Sequence, residues 1–407
     1  MNRFAYFVTA LAFACSPVKG TPLIDAKVVD VESLTVMPAS VSGRVALDPP
    51  TQLAVMAALS DGTTRDVTPY VTWSSSDVSV ADAPIGLVTA HGSGAATITA
   101  TLDSAVGSAQ VSFRDPILVS ANEQNGNTPA SLSFYDAFAS GNVGPLRSIG
   151  GANAPLPIAR EMFADIANDE LYVITETTGL SVYPLDGSGD IAPKRTLPTG
   201  SASGFEDTLG VALYKGELYV AGLNSAGSGI VSVFDPQTLG SAATPTRSLI
   251  GADTGLATPL YLFAQNDELY VVDLGSHSVL VFPTQSSGDA APTRKIAGSA
   301  TDMVNPFSVA IADSEMYVAD ISANAIFVFP ESGSGNIAPL RQIRGLDSGM
   351  AGPASVQLVG SDLVCDQTSG SAAIATYARE AVEDAPPTRV LAGSNTGLVV
   401  PFGILVY

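Results

Sequence analysis

The phrase Glu-Leu-Tyr-Val constrains this chain more than any other feature. It begins at Glu170, Glu217 and Glu268, with variants beginning at Glu315 and Asp362. Its third residues, Tyr172, Tyr219, Tyr270, Tyr317 and Val364, follow at intervals of 47, 51, 47 and 47. A second phrase, Pro-x-Arg, keeps the same period and ends at Arg147, Arg195, Arg247, Arg294, Arg341 and Arg389. A period near 47 predicts a repeat architecture in which each unit is one supersecondary element.

Each unit reads as four strands. In one of them, runs at 307–311, 316–320, 326–329 and 341–345 are separated by turn residues such as Asp313-Ser314. Four antiparallel strands repeated radially make a β-propeller. A linear solenoid has shorter repeats and needs caps at both ends. The chain ends 401–407 on what reads as a first strand with no second. The repeat region begins 115–120 on a second strand with no first, and 131–135 and 147–149 supply a third and fourth. The expected fold of 115–407 is therefore a six-bladed propeller, closed by pairing N-terminal and C-terminal strands in one blade. Such closure removes an exposed sheet edge.

The six arginines fall on the fourth, outermost strand, where proline is tolerated. Each shares a face with an aliphatic residue two positions on, as Arg294 does with Ile296. We expect a structural device, with each stem along the groove between blades and each head near water or a carboxylate.

The units resemble NHL repeats. Val272-Asp273-x-x-x-His277-x-x-Leu280-x-Phe282 and Ala319-Asp320-x-x-x-Asn324-x-Ile326-x-Val328-Phe329 carry the resemblance: a strand-ending Asp, a polar turn residue and an aliphatic-aromatic strand. In that setting Asp273 and Asp320 would cap their own turns.

Upstream, short apolar runs alternate with turn signals, which suggests roughly seven strands and a sandwich. SDGTTRDVT, VTWSSSDVSVA, GLVTAHGSGAATITAT and AQVSF resemble a bacterial Ig-like domain of group 2, over 31–113. The resemblance implies an Ig-like β-sandwich serving as a spacer, with Trp73 as its buried strand residue. Asp48-Pro49-Pro50 departs from the glycine-containing turn usual there. The fold class expected for the whole chain is all-β.

The first 14 residues read as a signal peptide: Arg3, then an apolar run from Phe4 to Ala14 too short to span a bilayer. Ala12-x-Ala14 fits ordinary cleavage. Cys15 directly after it resembles a bacterial lipobox, which implies a lipidated Cys15, a linker over 15–30, and an outer-membrane or exported protein whose membrane link is the lipid anchor alone. Cys365 then has no disulfide partner and reads as a small buried hydrophobe.

With 39 acidic against 18 basic residues and a net charge of −21, the chain lacks the clustered cations that nucleic acid requires. It contains no GxSxG, HExxH, CxxC or P-loop. Its two histidines, His91 and His277, are far apart and read as solvated loop residues. Arg160, Glu161, Glu206, Asp207 and Asn305 sit near loops that enter the first strands. The set resembles the Glu/Asn/Asp ring around calcium of some six-bladed hydrolases and lactonases, which implies Glu161, Asp207 and Asn305 as candidate metal ligands, and oxygen ligands suit that ion. The corresponding positions Thr258, Gly352 and Val400 leave such a ring incomplete. The first expectation is a non-enzymatic, monomeric surface protein without a cofactor, binding an envelope protein or a polysaccharide through the propeller loops. The alternative is a propeller hydrolase, lactonase or lyase with a calcium site at the channel mouth.

Overall fold

The computed structural model describes residues 29–124, 129–176, 178–200 and 202–407. Cys15, the signal peptide and most of the expected linker lie outside the described residues. The described chain is all-β, with 34 strands and three single-turn 3₁₀ segments. It separates into two compact units, Met1–Asp115 and Pro116–Tyr407.

The first unit holds ten short strands in three sheets, rather than roughly seven in two. Ala54–Leu59 lies between Val31–Met37 and Thr64–Asp66. The largest sheet runs Ser40–Arg44, Ala105–Arg114, Gly94–Leu102, Thr72–Ser75. A third joins Thr51–Gln52, Leu87–Ala90 and Ala81–Asp82. Strict alternation puts Val55, Ala57 and Leu59 of one strand, and Ala96, Ile98 and Ala100 of another, into one core with Val111 and Phe113. Asp48 closes the departing turn by accepting the Arg44 backbone N–H at 2.6 Å and pairing its guanidinium at 2.9 Å. Trp73 is half-buried, not buried. It packs on the core while Gly86 lies against its ring, where a Cβ would come within 2.9 Å.

The second unit is a propeller-like series of six four-stranded antiparallel sheets. Sheet 2 runs Ala159–Asp165, Glu170–Thr175, Gly179–Pro184, Arg195–Leu197. Sheet 3 runs Asp207–Tyr214, Glu217–Leu223, Gly229–Phe234, Arg247–Leu249. Sheet 4 runs Pro259–Gln265, Glu268–Asp273, Ser278–Pro283, Arg294–Ile296. Sheet 5 runs Pro306–Ala312, Glu315–Asp320, Ala325–Pro330, Arg341–Ile343. Sheet 6 runs Val356–Val359, Asp362–Gln367, Ala373–Ala378, Arg389–Ala392. Sheet 1 combines both ends of the unit: Pro401–Val406 pairs with Ile117–Asn122, followed by Ser131–Asp136 and Arg147–Ile149.

The middle strands are buried along nearly their whole length, as in Glu170–Thr175 and Gly229–Phe234. Both faces of each sheet pack on neighbours, so these strands read as continuous apolar runs rather than alternating ones. The clusters that hold the unit together mix residues of adjacent sheets, such as Leu197 of sheet 2 with Phe234 of sheet 3. The first strand of every sheet touches the first strand of the next, and Pro401–Val406 of sheet 1 touches both Val356–Val359 and Ala159–Asp165.

Candidate functional site

The two repeated phrases meet in space. Arg195 grips both oxygens of Glu170, at 2.8 and 2.6 Å. Arg247 grips Glu217, Arg294 grips Glu268 and Arg341 grips Glu315 in the same two-pronged way. Tyr172, Tyr219, Tyr270 and Tyr317 donate their hydroxyls to the same glutamates, two residues back on the same strand face. Paired forks of this kind are strong and geometrically specific. In sheet 6, Arg389 meets the shorter Asp362 at 2.9 Å. In sheet 1, Ile117 occupies the glutamate position, so Arg147 turns to the carbonyls of Leu185 and Gly187 and the Tyr407 hydroxyl. The six arginines thus serve the sheets one by one. Sequence reading placed them on the outer strand with each head near water or a carboxylate but did not name the glutamates, although both phrases share one period.

Arg247 holds Glu217 down to about 2, with help from Tyr219 and Gln285. Arg294 and Arg341 lower Glu268 and Glu315 in the same way. For Glu170, burial works upward, and the Arg195 and Tyr172 hydrogen bonds still bring it below its usual value.

The opposite ends of the sheets build a narrow pocket of about 20 Å³, open on one side. Its lining includes Arg160, Leu209, Leu260, Phe307, Ala354 and Phe402, one residue from the first-strand region of each sheet. These positions are equivalent, and in five of the sheets the register shifts there: between Ala159 and Met162, Thr208 and Gly210, Pro259 and Tyr261, Pro306 and Ser308, and opposite Ala121 and Asn122. A bulge re-aims the extra residue away from the ladder, here into the pocket.

Arg160 lies 4.1 Å over the Phe402 ring, and Phe402 meets Phe307 edge-on at 5.4 Å. The guanidinium hydrogen-bonds Glu176 at 2.8 Å and stands 3.1 Å from Glu123 in ion-pair but not hydrogen-bond geometry. Burial raises Glu123, Arg160 opposes that, and Glu176 adds to it. Burial also raises Asp207, with Glu176 and Glu206 adding repulsion.

Glu161 is buried in the pocket wall. Its Oε2 accepts the Val211 N–H of sheet 3 at 2.6 Å, and both oxygens lie 3.4 Å from the Leu262 N–H of sheet 4. Ser308 holds the equivalent position in sheet 5 and caps the Val356 N–H of sheet 6 at 3.0 Å. Gly210, the equivalent in sheet 3, has no side chain to offer, and Glu161 reaches across it. A Cβ on Gly210 would come within 2.9 Å of Glu161 Oε2 and 2.8 Å of the Leu260 carbonyl. Burial drives Glu161 well above the usual carboxylate range, against the two amides.

The candidate ligands Glu161, Asp207 and Asn305 therefore do not share one level. Asp207 and Asn305 are equivalent, and Glu161 sits three residues further along its strand with its oxygens turned to backbone amides. Asn305 donates Nδ2 to Ser322 Oγ at 2.7 Å. Among the described residues, no group of three or more His, Cys, Asp or Glu side chains is arranged to hold a metal ion. Asp273 and Asp320 accept backbone N–H groups from two loops each, including Ala257 and Ser276 for Asp273 and Val304 and Ala323 for Asp320. His277 and Asn324 take left-handed φ values of 49° and 50° in the turns below. His91 lies 3.2 Å from Asp82 in the first unit.

Two further groups, half-buried Tyr261 and buried Asp366, had no signal in the sequence. Tyr261 accepts from Gln357 at 3.1 Å. Asp366 takes the Ala354 and Ser355 N–H groups on Oδ1, leaves Oδ2 unpartnered, and is pushed by burial to about 7. Cys365 beside it is buried, 3.9 Å from Met350 Sδ, and burial pushes its thiol up.

No helix among the described residues is long and apolar enough to cross a membrane. None of the curated proteins matches the chain. Among solved structures, it is similar to a chain of a nidogen/laminin complex (TM-score 0.49, 12% identity, 72% of this chain and 98% of that one). It is also similar to a putative 6-phosphogluconolactonase from Bacteroides uniformis (TM-score 0.46, 16% identity, 69% and 84%) and to the RRP9 WD40 repeats (TM-score 0.41, 10% identity, 60% and 65%). Residues 30–113 match the family model of the bacterial Ig-like domain (group 2), and this part of the chain is a domain of that kind.

Proposed function

We propose that residues 116–407 close into a six-bladed, NHL-like propeller, and that the protein is an exported, non-enzymatic binding module. The unbroken circuit of contacts among the six first strands supports closure, as does the pairing of Pro401–Val406 with Ile117–Asn122. One observation carries the binding reading: Glu161, the buried carboxylate at the pocket, is engaged by the Val211 and Leu262 amides. The surface left for a partner is the mouth around it, where Arg160 is held over Phe402 between Glu123 and Glu176. A fixed cation, an aromatic face and carboxylates suit the hydroxyls and ring faces of a polysaccharide, or a polar loop of an envelope protein. Function of this kind lives in loops on a rigid scaffold. The Ig-like domain supports a surface location, and the proposal includes a lipid on Cys15 as its membrane link.

The test is crosslinked pull-down from intact cells, repeated with Arg160→Ala and Phe402→Ala. Loss of the captured partner in both variants supports the reading, and unchanged capture removes the mouth from it. The competing hydrolase or lyase reading gains if purified protein carries calcium that Asp207→Asn abolishes.

A further inference from the structure

Five of the six seams between neighbouring sheets carry the same clasp at the outer rim. The turn before a fourth strand docks on the fourth strand of the preceding sheet. Gly189 bonds Ser148 O and receives Gly150 N–H. Gly288 does this with Ser248 and Ile250, Gly335 with Lys295 and Ala297, and Glu383 with Gln342 and Arg344. Gly141 does so with Val390 and Ala392 across the seam between sheets 6 and 1. The next residue locks the clasp. Asp190, Asp289, Asn336, Asp384 and Asn142 each accept one backbone N–H of the preceding sheet's rim loop, at 2.7–2.8 Å. Each does so against a glycine at φ between 117° and 139°, where a Cβ would sit 2.2–2.5 Å from that side chain. These glycines, Gly151, Gly251, Gly298, Gly345 and Gly393, lie four residues after the repeated arginine.

The seam between sheets 2 and 3 departs at every part of this device. Pro198 stands where the other fourth strands offer an N–H, and proline has none. Thr199 stands where the others have glycine. The Gly-Asp turn is replaced by a longer loop, in which Asp235 caps the 3₁₀ turn Pro236–Thr238 and Leu239 and Ala243 pack on the cluster containing Leu197. This loop is one residue longer than its counterparts, and the rest of the 51-residue interval lies in the hairpin between Glu217–Leu223 and Gly229–Phe234. Arg147, Arg247, Arg294 and Arg341 each reach a carbonyl of the next sheet. The hydrogen bonds of Arg195 run to Glu170 and Tyr172 of its own sheet.

We propose that the seam between sheets 2 and 3 is a built-in joint, the place where the ring opens first. This rests on the closed-ring reading above. In a ring assembled from one chain, the natural weak point is where the ends meet. Here that point lies inside sheet 1, stitched by a full ladder, and its rim carries the Gly141–Asn142 clasp. Weakness is moved to sheets 2 and 3, where an apolar strap substitutes for directed hydrogen bonds. Pro198 also keeps the unclasped edge from recruiting a foreign strand.

Hydrogen exchange of the full chain, read by mass spectrometry, tests this. Amides of 195–200 and 235–249 should exchange at least tenfold faster than their counterparts at 294–298 and 282–296, since local opening tracks missing bonds. Asp289→Ala removes one intact clasp and should raise exchange at the seam between sheets 3 and 4 towards the level of sheets 2 and 3. Equal exchange at all six seams overturns the joint while leaving the ring. Fast exchange of 117–122 and 401–406, as in a free edge, overturns the closed ring and the joint together.

Discussion

Glu161 Oε2 accepts the backbone N–H of Val211 at 2.6 Å, across the gap between two successive sheets. A first strand has a second strand on one side only, so its outward N–H groups need other partners. A side chain from the preceding sheet supplies one here, and Ser308 repeats the arrangement for Val356.

Removing the carboxylate should orphan two amides. Glu161→Ala is expected to destabilise the second unit by roughly 2–6 kcal/mol, at about 1–3 kcal/mol per buried unsatisfied group. Glu161→Gln keeps an acceptor and should cost clearly less. Urea titration followed by tyrosine fluorescence distinguishes the two, and equal losses would refute the capping role.

Gly210 is needed for what crosses it. Gly210→Ala places a methyl within 2.9 Å of Glu161 Oε2 and 2.8 Å of a carbonyl that cannot retreat. A loss of roughly 1–3 kcal/mol is expected. Glu161→Ala made in the same chain should recover only part of it, because the Leu260 contact remains. A double-mutant cycle measures that coupling.

The glutamates that open the second strands set the acid limit. Glu217 titrates at about 2 when folded, against 4.5 for the ordinary group. A lowered value means its stabilisation is present above pH 4.5 and fades as pH falls towards 2. Glu268 and Glu315 shift the same way. Thermal melts should drop steeply across that window, and Arg247→Met should flatten the drop, with a lower melting temperature at neutral pH.

Asp366 acts in the other direction. Its folded value near 7 lies above the ordinary 3.8, so the folded state holds the proton more tightly. The associated stability is complete below about pH 4 and is lost as pH rises through 7. At 1.36 kcal/mol per unit, the effect is at most roughly 4 kcal/mol. Asp366→Asn should reduce the slope between pH 4 and 7 in denaturant melts, the remainder belonging to Glu161, Glu123 and Asp207, which burial shifts the same way. A slope unchanged in the variant assigns it elsewhere.

The sheets were legible because two phrases recur with one period. The strand runs at 307–311, 316–320 and 326–329 lie within the observed strands of sheet 5. The pocket was less legible. Its residues emerge from bulges, and a bulge slides the register by one residue without a fixed sequence mark. Glu161 was therefore grouped with Asp207 and Asn305, although three residues of strand separate their levels. Asp366 and Tyr261 were invisible for a related reason: each belongs to a strand whose counterparts carry other residues, so no recurrence pointed to them. Trp73 was read as buried from its place in an Ig-like pattern, whereas its ring shares its cover with a glycine loop.

Sheet 1 has a consequence for the order of biosynthesis. Ile117–Asn122 leaves the ribosome long before Pro401–Val406, the strand that completes its ladder. At 5–20 residues per second, that wait is roughly 15 to 60 s. Throughout it, one edge of a strongly apolar strand has no mate within its own chain. The nascent protein is most exposed to wrong pairing in this interval. Any chain that stops before residue 401 stays in that condition permanently.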